Sequence, residues 1–187
     1  MNNMLAFEQC LDASDDTLNL GRAALLIALE EYPDLDIDSY IERLDRLADR
    51  TRARLTSRTS AQEAVQALNC TLFDEEGFAG NTSDYYDPRN SLLNEVLDRK
   101  LGIPITVSVV YLEVGRRLGL PLSGISFPGH FLIKLPQAVG DLVLDPFYGG
   151  KLLQETELTK RLGDLFHAHS GAMELQQLLQ NAGKREI

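Results

Sequence analysis

Between Pro104 and Gly119 the chain reads PITVSVVYLEVGRRLG, and this segment limits the possible folds more than any other. Val107, Val110, Tyr111, Val114 and Leu118 recur at helical spacing, while Ser108, Leu112 and Gly115 leave little charge on a second face. Pro104 suits a first helical turn, where its missing N–H has no partner to lose, and Gly119 can end the helix. A helix that is apolar around most of its circumference has to be covered on several sides. Glu113, Arg116 and Arg117 are the residues on it expected to demand solvent.

Cover is available on both flanks. Residues 1–73 read as helices. Leu18 to Glu31 contains the run Ala23 to Leu29, too apolar for an exposed helix, and Pro33 ends it. Ile37, Tyr40, Ile41, Leu44, Leu47 and Ala48 form an amphipathic pattern with Asp36 or Asp38 as cap. Ser60-Ala-Gln-Glu63 has the form of a capping box and starts a third helix that places Val65, Leu68 and Leu72 on one face and ends near Phe73. Leu92, Leu93, Val96 and Leu97 follow Asn90 or Ser91 as cap, and Gly102 can stop that helix.

Beyond Gly119 the period changes. Gly124–Phe127, His130–Leu135 and Asp141–Leu144 are short strand-like runs separated by turn residues, so a small antiparallel sheet is expected. Helical spacing returns weakly through Leu158, Leu162 and Leu165, then through Met173, Leu175, Leu178 and Leu179. The fold class is therefore α+β, and 187 residues suffice for one domain with a helical appendage.

Several functions are disfavoured at this point. The net charge of -10 sits almost wholly in residues 1–45, with 11 acidic and 2 basic side chains against 17 and 16 in the rest. Such a surface repels phosphate backbones, so nucleic-acid binding is not expected. The apolar run Ala23 to Leu29 is far below the ~20 residues a spanning helix needs. With no membrane span or secretory start in the sequence, a cytoplasmic location is expected. Cys10 and Cys70 make no disulfide framework and no C-x-x-C pair, and read as small apolar residues. His167-Ala-His169 lacks a third ligand, so no metal or cofactor is expected.

The chemistry-bearing residues gather in two places. Asp74 to Asn90 is a long loop with Gly77, Gly80, two adjacent tyrosines and two asparagines, richer in hydrogen-bonding groups than a connector needs. If the last two strands pair about a turn near residue 138, His130 falls opposite Phe147 and in diagonal reach of Asp145. A carboxylate on one imidazole nitrogen would fix the tautomer and leave the other nitrogen as base or ligand; spacing alone favours the blander reading, a structural His-Asp pair.

Gly-Phe-Ala-Gly-Asn81, Tyr-Tyr-Asp-Pro-Arg-Asn-Ser91, Gly-Ile-Pro-Ile-Thr106, Pro-Gly-His-Phe-Leu132 and Leu-Asp-Pro-Phe147 together resemble the transglutaminase-like bacterial proteins of the SirB family. The resemblance covers roughly residues 35 to 150. It implies a papain-like core, with a buried helix on an antiparallel sheet, a Cys at the helix N-terminus, and His and Asp on successive strands. His130 and Asp145 fall on the last two positions, and Pro104 falls where the Cys belongs. The resemblance thus implies a non-catalytic binding or regulatory module for a peptide or protein partner, its cleft formed by His130, Asp145, Asn81, Tyr85, Tyr86, Arg89 and Asn90. The alternative is an unconventional hydrolase or transferase that uses Thr106, or a water activated by His130. On this reading residues 1–73 are a helical region packed on the core, 74–150 the core, and 151–187 C-terminal helices, the start of a truncated tetratricopeptide-like region.

Overall fold

The computed structural model describes residues 3–12, 14, 17–138, 140–166 and 175–187. His167, His169, Met173 and the side chain of Leu165 lie outside the described part. Helix α6 (Pro104–Arg117) stands at the centre. Four helices, α2 (Leu20–Ala28), α3 (Ile37–Arg52), α4 (Ala61–Asn69) and α5 (Leu93–Arg99), supply Leu25, Leu44, Leu68 and Leu97 to the core around Val110, Tyr111 and Val114. A short helix α1 (Asn3–Leu11) lies against α2.

The N-terminal signals act locally. Asp36 accepts the Ser39 N–H and caps α3. At α4 the capping box is reciprocal: Ser60 Oγ accepts from Glu63 N–H at 3.2 Å, and the Glu63 carboxylate accepts from Ser60 N–H at 2.7 Å. That helix continues as a π-helical turn, Cys70–Glu75. Ile27, expected inside, is 51% exposed and lines an open groove with Tyr32, Pro88 and Leu92.

Helix α5 departs from expectation at both ends. Its N-cap is Leu92, without a side-chain bond, because Pro88–Ser91 forms a 3-10 turn ahead of it. At its end Lys100 takes the left-handed conformation (φ 64°), which leaves Gly102 free to extend. Leu101–Gly102 (β2) then pairs in parallel with Ala79–Gly80 (β1), so part of the long loop is a strand.

The main sheet runs β3 (Ser123–Phe127), β4 (His130–Leu135), β5 (Leu142–Asp145), β6 (Lys151–Leu153), all antiparallel neighbours. Strand β6 had no sequence signal of its own: its three residues follow the turn Pro146–Gly150. Period-two alternation turns Phe131, Ile133 and Leu135 toward the α6 core. Ile125, Phe127, Leu132 and Val143 face a second cluster with Leu158 and Leu162 of α7 (Glu155–Phe166) and Leu178 of α8 (Leu175–Leu178). Among the described residues 175–187 the helical stretch is α8 alone. Ala182 N–H then bonds Gly124 O at 2.8 Å, and Ile187 packs against the α6 core.

Glu113 corrects the sequence reading most sharply. It is 1% exposed and accepts hydrogen bonds from Arg116 and Arg117, whose side chains are 47% and 9% exposed. Burial raises its carboxyl pKa, but the two guanidinium hydrogen bonds outweigh it and hold the group below the ordinary range. No helix among the described residues is long and apolar enough to cross a membrane.

Candidate functional site

The strand register decides the site. Ile133 pairs with Leu144 and Leu135 with Leu142, so continuing the pairing sets His130 opposite Phe147 and diagonal to Asp145. His130 Nε2–H donates to Asp145 Oδ1 at 2.8 Å, since a carboxylate can only accept. The Asp145 side chain is fully buried and that of His130 is 14% exposed. Asp145 Oδ2 accepts from Arg161 Nη1 at 2.9 Å, a residue of α7 that the sequence reading missed. Its position beside Leu158 and Leu162, at the edge of an apolar helix face, was the available signal.

His130 lines an open cleft of about 340 Å³ with Pro104, Ile105, Phe127 and Tyr85. The first residue of the central helix and the histidine thus face one space. Phe147 meets the His130 ring edge-on at 5.8 Å, and Tyr148 stacks on it at 6.0 Å. Tyr85 in turn meets Phe147 at 6.2 Å and Tyr86 at 5.4 Å. A side chain on Gly80 would enter the Phe147 ring, with its Cβ 2.4 Å from a ring carbon, so glycine is required there. The turn carrying Phe147 and Tyr148 is pinned from below: Tyr111 OH donates to Asn69 Oδ1 at 2.7 Å, and Asn69 Nδ2 donates to Gly150 O at 3.1 Å.

The loop residues divide. Tyr85 lines the cleft, and Tyr86, 92% exposed, stands beside it. Asn81 and Asn90 do not line it; both are buried and brace the loop from within. Asn81 Nδ2 donates to Asn90 Oδ1, and Asn90 Nδ2 donates to the carbonyls of Asp84 and Tyr85. Arg89 lies on a different groove with Ile27, Tyr32 and Leu92, its guanidinium forked onto Asp87. Those hydrogen bonds, with the charge of Arg99, hold the Asp87 carboxyl down at about 2 against partial burial. Replacing Asn90 by alanine is expected to cost about 1–3 kcal/mol in urea unfolding, because the buried Asn81 amide loses its acceptor and two loop carbonyls lose their donor.

Thr106 is not brought to His130. Its hydroxyl donates to Asn90 O at 2.6 Å and accepts from Ile103 N–H at 3.1 Å, an N-terminal-turn role that uses its one proton. No hydrogen bond joins it to His130, and it does not line the cleft, so the nucleophile suggested by the sequence lacks its base. No group of three or more His, Cys, Asp or Glu side chains among the described residues could hold a metal ion.

A family model described as transglutaminase-like superfamily matches residues 38–187. A UPF0162 protein of Xylella fastidiosa is 47% identical over 148 residues, 79% of this chain and 53% of the relative. F-box only protein 21 of Homo sapiens is 30% identical, the alignment covering 100% of this chain and 35% of that protein. Protein SirB1 of Salmonella typhimurium is 24% identical over 62% of this chain and 43% of its own length. The chain spans about half the length of the UPF0162 relative. No solved structure matches it.

Proposed function

The chain belongs to the transglutaminase-like superfamily, with SirB-like bacterial relatives, and from that premise we propose that it is a recognition module without thiol catalysis. The observation that carries this reading is that Pro104 and His130 line one cleft. A thiol at such a helix start would be ionised by orphan N–H groups, the helix dipole and an imidazolium. The pyrrolidine of Pro104 keeps the helix start and brings no nucleophile. The partner is a peptide or protein segment held by the His130 nitrogen that Asp145 leaves free and by the rings of Tyr85 and Tyr148. Residues 74–150 carry the cleft, and the helices before and after support it. A regulatory role in the cytoplasm fits a site that binds without turning over.

Thermal shift with capped peptides and simple amides tests this. A ligand at a hundred times its Kd stabilises by about 2.7 kcal/mol, or about 5–10 °C for a chain of this size. At least one peptide is expected to raise the Tm of the wild type and not that of His130→Ala. Equal shifts in both proteins, no shift with any peptide, or turnover of an amide that depends on His130 would contradict the proposal.

A further inference from the structure

Asp145 has two oxygens and two partners, and the second partner is not accounted for by the cleft. A fully buried carboxylate is sustained when positive charge or hydrogen bonds compensate it. Arg161 Nη1 supplies both at 2.9 Å, and its guanidinium also lies over the Tyr148 ring, 5.8 Å from the centroid. That ring stacks on His130. Arg161 therefore bears on the histidine by two routes, through the carboxylate and through the ring.

With Arg161 positive and Asp145 negative, the cluster is neutral when the imidazole is neutral. Nε2–H then donates to Asp145, and Nδ1 keeps its lone pair. Without the guanidinium, the buried carboxylate would be compensated by an imidazolium, whose Nδ1 donates instead. The other polar groups around His130 do not supply this charge. Tyr85 and Tyr148 bring phenol rings, and Lys151 of β6 is engaged with Glu157 at 2.6 Å.

We infer that Arg161 is a positioning residue that keeps the cleft-side nitrogen of His130 a hydrogen-bond acceptor, so that the cleft selects partners presenting an N–H or O–H donor. This rests on the reading of the His130 cleft as a recognition site. It also assigns a part of that site to α7, beyond the segment in which the sequence placed it.

Ring-nitrogen NMR of the ¹⁵N-labelled full chain at pH 7.5, without ligand, tests it, with His130 assigned by the loss of its signals in His130→Gln. At this pH an ordinary imidazole is neutral. The wild type is expected to show one protonated ring nitrogen, Nε2. In Arg161→Met the doubly protonated ring should become the majority form, and Arg161→Lys should restore the wild-type pattern. Arg161→Gln keeps an N–H donor without charge, so it should behave as Arg161→Met does, and it serves if the methionine variant fails to fold. A wild-type ring pattern in Arg161→Gln would overturn the inference. If that pattern persists while peptide shifts still depend on His130, the role of Arg161 alone fails. If the ring responds as expected while peptide shifts ignore His130, the recognition reading alone fails.

Discussion

Replacing Glu113 by alanine is expected to destabilise the protein by about 3–5 kcal/mol, because it takes from the buried Arg117 one of its two carboxylate partners. At about 2–4 °C per kcal/mol for a chain of this length, the Tm should fall by roughly 6–20 °C. Arg117 keeps Asp45 as a partner at 2.6 Å, which favours the lower part of the range. Arg116→Ala removes a partner that is half in solvent and should cost at most about 1 kcal/mol. The pH dependence has a definite sign. The Glu113 carboxyl lies below its ordinary value in the folded chain. Its contribution is therefore present above the unfolded pKa of about 4.3 and is lost as pH falls through the folded value. Wild type and Glu113→Ala should differ most at neutral pH and converge in acid. Urea unfolding at neutral and acid pH measures both effects, and a loss below about 1 kcal/mol at neutral pH would mean that Glu113 reaches solvent.

The same residue shows where sequence reasoning stops. Helical spacing identified α6 and its proline start, because periodicity and a first-turn proline are local facts. A glutamate beside two arginines reads locally as a solvated edge. Its burial depends on α2 pressing Gly21 against it, where a Cβ would lie 3.1 Å from Glu113 Cγ, and on Asp45 of α3 sharing Arg117. Neither contact leaves a mark within the α6 segment. The Asp74–Asn90 loop failed differently. Its asparagines signalled hydrogen bonding correctly, but a composition cannot say whether a loop spends its amides on itself or offers them to a partner. Asn81 and Asn90 do the former. The approach of His130 to Asp145 was legible because antiparallel register follows from one turn position and a period of two. For Arg161 the sequence offered its place at the edge of an apolar helix face and nothing that pointed to Asp145, because α7 reaches the site through packing on the outer face of the sheet.

The central claim is that the start of α6 keeps the geometry of a nucleophile site while Pro104 removes the nucleophile, and thiol titration of Pro104→Cys tests it most directly. Helix N-termini and a nearby imidazole favour thiolate. The fold should tolerate the change, since a first-turn proline gives up no hydrogen bond. The introduced thiol is expected to ionise clearly below the ~8.5 of a free cysteine, and adding His130→Ala should raise that value again. Catalysis need not return, since oxyanion donors and a substrate site are separate requirements. A thiol with an ordinary pKa, or one indifferent to His130, would contradict the account.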